Sequence, residues 1–254
     1  MDAKGVDMET SGLFPGQRLE VGMVLYPGFT MLDLIGPQAV LALHSNSHFI
    51  ASTLAPVPSD GGGALVPTVT FADAPRDLDI LFVPGGFGSN AAMKDPEILA
   101  FLAERARTAR FITSVCSGSL VLGAAGLLEG YRAATHWALY DALAALGGIT
   151  PVRERVVVDR NRVTAGGVTA GVDFGHALLA QVRGERLARL TQLLIEYDPE
   201  PPFDSGSPGR AGPELTAQAT ALLHGLATEA LTIAQAHQAR RGRSPRVAET
   251  VNTV

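Results

Sequence analysis

The stretch that decides the fold is RFITSVCSGSLVLGAAGLL, residues 110–128. A β-rich apolar run gives way at Cys116 to small residues that read as a helix. SVCSG fits the small-x-nucleophile-x-small pattern of a strand-to-helix elbow, in which small neighbours let the chain turn sharply and leave one side chain exposed at the carboxyl end of a sheet. Open α/β sheets bind their ligands at that end. A helix beginning near Ser117 would aim backbone N–H groups and a partial positive charge at the sulfur, favouring thiolate. Cys116 is the only cysteine of the chain. Taken alone, the turn suits an inert small core residue as well as a nucleophile.

Outward from this turn, short β-rich runs alternate with helical patterns from residue 19 to about residue 197. Such alternation predicts a mostly parallel sheet with helices on its faces. The parallel strands are EVGMVLY (20–26), FIASTLA (49–55), ILFVPGG (80–86), FITSV (111–115) and RVTAGG (162–167). LVPTVTF (65–71) and RERVVVDRNRVTAG (153–166) read as short antiparallel additions, the second turning at DRN. Helices are expected at 96–109, 119–128 and 137–148, and as one long element over 170–197.

The segment DPEPPFDSGSPGRAGPEL (198–215) is rich in Pro, Gly and Ser and closes the main domain. Beyond it, Leu215, Ala219, Leu222, Leu226, Ala230 and Ile233 recur at helical spacing, which predicts one helix packed on its own domain or on a partner subunit. The expected organisation is a flexible leader over 1–18, an α/β domain over 19–204, an extension with one helix over 205–240 and a disordered tail over 241–254.

With 254 residues, 46% of them hydrophobic and 18% charged, the chain is long enough for one large domain with a substantial core. No apolar run reaches the roughly 18–20 residues that span a bilayer, so no membrane partner is expected. The first twenty residues lack the basic-then-apolar pattern of a secretory signal. A lone cysteine forms no internal disulfide, and the cytoplasm is the expected compartment. A net charge of −5 argues against nucleic acid as a partner, although RRGRSPR (240–246) is locally basic.

Several residues join Cys116 as candidates. LFVPGGFGSN (81–90) ends a strand in a glycine-rich turn, so the amides of Gly85 and Gly86, with that of Ser117, could form an oxyanion-type hole. Ser117 offers its hydroxyl as well as its N–H, or caps the helix. Asp33 lies between Leu32 and Leu34, where a carboxylate is expensive to desolvate. Its alternative role is structural, since Thr30 and Asp33 have capping-box spacing, and Pro37 would kink a helix begun at Thr30. His136, at the start of a helix, is either the base of a Cys–His pair or a capping residue. Asp173 and His176 share a helix face as a local contact. No two histidines have metal-ligand spacing, so no metal is expected.

VLYPGFTMLDLIGP (24–37), LFVPGGFG (81–88), ITSVCSGSLVLGAAGLLEGYRAATHW (112–137), RVTAGGVTAGVDFGHALL (162–179) and EYDPEPPFDSGSP (196–208) together resemble the PfpI/ThiJ superfamily. Within it they are most similar to the isonitrile hydratase subgroup, over roughly residues 19–208. The resemblance implies a flavodoxin-like three-layer sandwich with helices on both faces of the sheet and a nucleophile elbow. It also implies a homodimer. The implied activity is hydration of an isonitrile to an N-substituted formamide, with Cys116 as nucleophile and Asp33 as acid/base and without a cofactor. Ser117 stands where the family usually has threonine, keeping the hydroxyl and losing a methyl group. His136 matches a histidine placed near the cysteine in other branches and is secondary in this one.

Two other readings share these motifs. The domain type also serves as the sensor half of transcription regulators, which append a DNA-binding unit of about a hundred residues with two helix-turn-helix segments; here 51 residues follow Phe203, with one expected helix. Glyoxal hydration or deglycation, elsewhere in the superfamily, leans on a cysteine with a glutamate and a histidine; Asp33 in place of glutamate weakens that reading, and His136 keeps it open.

Overall fold

The computed structural model describes residues 17–243. In chain order its elements are β1 (Leu19–Val24), α1 (Met31–Leu41), β2 (Ser45–Ala51), β3 (Val57–Pro58), β4 (Ala64–Leu65), β5 (Val69–Thr70), β6 (Ile80–Val83), α2 (Ser89–Ala92), α3 (Pro96–Arg105) and β7 (Phe111–Val115). Then follow α4 (Gly118–Ala124), β8 (Arg132–Ala133), α5 (Tyr140–Ala145), β9 (Thr150–Pro151), β10 (Val156–Asp159), β11 (Arg162–Ala165), α6 (Ala170–Arg183), α7 (Glu185–Leu194) and α8 (Pro208–Arg243).

Seven strands form one sheet in the order β10-β11-β7-β6-β1-β2-β5, and every pairing except β10 with β11 is parallel. Strands β1, β6 and β7 are buried on both faces, which is why they read as continuous apolar runs rather than alternating ones. Helices α1, α6 and α7 pack together as one layer, and α2 to α5 with α8 form the other. The chain leaves β1 in one direction to β2 and returns on its other side as β6. The crevice at such a reversal, outside the carboxyl ends of the strands, is where this architecture places a site.

Four expectations are corrected. Residues 170–197 are two helices, because Gly184 takes φ 90°, a conformation that ends α6 and that L side chains rarely adopt. LVPTVTF is not an antiparallel unit: β5 is a parallel edge strand on β2, whereas β4 pairs antiparallel with β3. Thr30 makes no side-chain cap on α1, so the capping box with Asp33 does not form. Residues 241–243, expected in the disordered tail, are instead the end of α8, which runs to Arg243 and is broken by non-helical backbone at Gly212. The rest of that tail, and all but the last two residues of the leader, lie outside the described residues. The β10–β11 hairpin turns as expected, at Arg160 and Asn161. No helix among the described residues is long and apolar enough to cross a membrane.

Candidate active site

β7 delivers the chain to Cys116, whose φ of 56° lies in the left-handed region although it carries a side chain. Strain of that kind at a strand-to-helix turn is the mark of a nucleophile elbow. The turn is held from several sides. The Cys116 N–H donates to the carbonyls of Ala165 and Gly166, and its own carbonyl accepts the hydroxyls of Ser119 and Thr135 at 3.2 and 3.0 Å.

The glycine loop after β6 packs directly against this turn. A Cβ on Gly85 would lie 2.5 Å from the Ser117 nitrogen, and one on Gly118 would lie 2.2 Å from the Val83 carbonyl oxygen. Both glycines are required for backbone to approach backbone here. Ser117, buried and at the head of α4, accepts the Gly86 N–H at 3.0 Å and is within 3.3 Å of the Gly86 carbonyl. Its hydroxyl therefore ties the two loops together and does not cap α4.

Asp33 is fully buried in the first turn of α1. Its Oδ2 accepts the Gly85 N–H at 2.8 Å, and the Cys116 thiol lies against the carboxyl group. Burial is the dominant influence on its ionisation: it raises the pKa to about 7 against the opposing pull of the Gly85 and Cys116 hydrogen bonds, and the nearby charge of Asp60 adds to the rise. The thiol is also raised, first by burial and then by the Asp33 charge, although the N–H groups of Ser117 and Val168 both favour thiolate.

Two site expectations change accordingly. Cys116 is held as a protonated thiol, because desolvation and the facing carboxyl outweigh the N–H groups at the head of a helix only seven residues long. The amides of Gly85 and Gly86 do not stand free as a pair of oxyanion donors, since Asp33 takes the first and Ser117 the second. The donors aimed at the sulfur are the N–H groups of Ser117 and Val168.

A cavity of about 100 Å³ opens over Cys116, with Thr30, Asp60, Gly86, Ser117 and His136 among its polar lining. His136 is brought to this cavity, yet its Nδ1 accepts the Ala138 N–H at 3.3 Å, the capping role. Burial lowers its pKa, which keeps it neutral. Asp173 and His176 both meet Tyr197, the first through a 2.8 Å hydrogen bond and the second by ring stacking, away from this cavity.

Sequence reasoning missed Asp60. It reaches the site because the β3–β4 excursion folds back on the start of α1, where the Asp60 N–H donates to the Phe29 carbonyl. Asp60 Oδ2 then accepts the Thr30 hydroxyl at 2.5 Å and the Phe87 N–H at 3.2 Å. An aspartate before three glycines signals only a turn. Also missed was Tyr26, buried beside Asp33 and Cys116 and donating to the Pro84 carbonyl at 2.7 Å.

The family model described as the DJ-1/PfpI family matches residues 20–181. An isonitrile hydratase from Pseudomonas putida is 51% identical over 195 residues, covering 76% of this chain and 85% of that protein. The crystal structure of a ThiJ/PfpI family protein from Pseudomonas syringae superposes with a TM-score of 0.84 at 45% identity, covering 92% of this chain and 97% of the other. The HTH-type transcriptional regulator CdhR of Pseudomonas aeruginosa is 29% identical over 172 residues, 65% of this chain but only 51% of the regulator.

Proposed function

The chain belongs to the DJ-1/PfpI family, and from that premise we propose that it is an isonitrile hydratase that converts an isonitrile and water to an N-substituted formamide. The observation that carries this reading is the pairing of Cys116 with a buried carboxyl group of raised pKa, in place of the histidine that a hydrolytic thiol would use. The similarity to the Pseudomonas putida enzyme supports it.

The terminal carbon of an isonitrile carries a lone pair and accepts a nucleophile, so attack by sulfur requires a proton delivered to that carbon. With Asp33 ionised, its carboxylate takes the thiol proton as Sγ bonds to the carbon, then passes that proton to the same carbon. The product is a thioimidate, R–N=CH–S–Cys116. The N–H groups of Ser117 and Val168 stabilise charge on sulfur as the proton leaves. Water then adds to the thioimidate carbon. Collapse breaks the C–S bond, one water proton stays on nitrogen and the other returns to sulfur, so R–NH–CHO departs and the thiol is restored. Each step uses only the protein and water. In this reading His136 lines the substrate cavity as a neutral group and takes no proton.

The experiment is chromatography of the products after incubation with ethyl isonitrile, with Cys116→Ala in parallel. Formamide from the wild type alone is the expected result. No formamide from folded, reduced wild type would overturn the reading and favour glyoxal-type chemistry, with methylglyoxal as the next substrate.

A further inference from the structure

We propose that α8, which lies beyond the family-matched residues 20–181, gauges the size of the molecule that reaches Cys116, with Leu223 and Leu226 as the measuring residues. The substrate's identity rests on the isonitrile reading; the gauge itself does not.

Leu223 and Leu226 line the cavity over the thiol together with Phe87, Leu139 and Val168. They are one helical turn apart, so they present one apolar surface. At about 100 Å³ the space is well under the ~300–1,000 Å³ typical of sites for drug-sized ligands. A small head group with a short alkyl chain fits such a volume, whereas a branched or aromatic substituent meets the two leucines.

A wall discriminates by size only if it cannot yield, and α8 is fastened beside these residues. Asn90, buried in α2, donates its amide to the Leu226 carbonyl and to Glu229, both at 3.1 Å, and Lys94 pairs with Glu229 at 3.1 Å. Further along, His237 meets the Met93 carbonyl at 2.8 Å. Arg241 donates to the carbonyls of Gly123 and Ala124 at the end of α4, the helix that starts at the nucleophile turn. Ala230 and Ala234, fully buried, seat the same helix in the core.

Because Cys116 is the only cysteine, intact-protein mass reads its modification directly. The test compares the alkylation rates of iodoacetamide and N-phenyliodoacetamide, which share a reactive group and differ in bulk, for wild type, Leu223→Ala, Leu226→Ala and Leu222→Ala. Leu222 is 87% exposed and serves as the control on the same helix. The same proteins are then assayed with ethyl and benzyl isonitrile. Removing one of the two leucines should narrow the small-to-bulky rate ratio about tenfold, the scale expected when apolar contacts in a pocket are removed, while Leu222→Ala leaves it unchanged. Leu226→Phe, which adds bulk without opening the core, should widen the ratio.

An unchanged alkylation ratio in Leu223→Ala and Leu226→Ala, with thermal unfolding close to wild type, would overturn the gauge. So would an unchanged ratio in Leu226→Phe should the alanine variants prove unstable. A narrowed alkylation ratio without formamide from any variant leaves the gauge standing and removes the isonitrile reading. Formamide production with both ratios unchanged does the reverse.

Discussion

The thiol of Cys116 rests against the carboxyl group of Asp33, and burial raises the pKa of both. Neither ionises freely, and once Asp33 has lost its proton the one that remains between them stays on the thiol. Asp33, at about 7, is the member that titrates near neutrality.

The first consequence is a pH dependence. The reactive form has Asp33 ionised and Cys116 protonated, and acid removes it by protonating Asp33. Accordingly kcat/KM should climb with pH through an apparent pKa near 7 and then level off. Asp33→Asn should lose this limb and most of the activity, by a factor of about 10²–10⁴. Initial rates of formamide formation from pH 5 to 9 check this, and an unaltered profile in Asp33→Asn would return Asp33 to a purely structural role.

The same shift acts on stability. Asp33 binds its proton more tightly in the folded chain than in the unfolded one, so its contribution is fully present below about pH 4 and is lost as pH rises to about 7. Raising the carboxyl group to about 7 corresponds to about 4 kcal/mol as an upper scale. Relative to wild type, Asp33→Asn should gain stability progressively over that interval and no further above it. Urea unfolding midpoints of the two proteins at several pH values measure the difference.

Removing the Asp33 charge should also release the thiol. Cys116 in Asp33→Asn should be alkylated by iodoacetamide several-fold faster than wild type at pH 8–9, because one of the two forces opposing thiolate is gone. Intact-mass time courses report it, and equal rates would mean that burial alone governs the thiol.

Ser117→Ala leaves the Gly86 N–H without its acceptor in a buried position, at a cost of about 1–3 kcal/mol. Catalysis should fall but remain measurable, since the Ser117 N–H at the sulfur survives. Ser117→Thr keeps the hydroxyl and should recover most of the stability in thermal unfolding.

Gly85→Ala forces a methyl group to within 2.5 Å of the Ser117 nitrogen, and neither backbone can retreat without opening the elbow. The expected result is a loss of several kcal/mol and no turnover. Gly61, with open space at its Cβ position, is the matching control and should tolerate alanine.

What the sequence by itself determined is whatever depends on neighbours along the chain. SVCSG and VPGGFG announced two sharp turns at strand ends, because small residues are needed wherever backbone meets backbone, and alternating β-rich and helical runs announced the parallel sheet. The helical pattern over 170–197 predicted one element, because pattern alone does not say that Gly184 takes a positive φ and breaks it. Asp33 stood out because two leucines flank it. Its partners did not, since Gly85 is 52 residues away and Cys116 is 83. Only the tertiary structure decided that these groups meet in a buried place, and there desolvation outweighs the N–H groups at the elbow and holds a proton on the thiol. It likewise brought Asp60 to the cavity through the β3–β4 excursion and laid Leu223 and Leu226 over the sulfur. Turn geometry is a short-range property of the chain, whereas protonation state and cavity shape depend on which distant segments exclude water together.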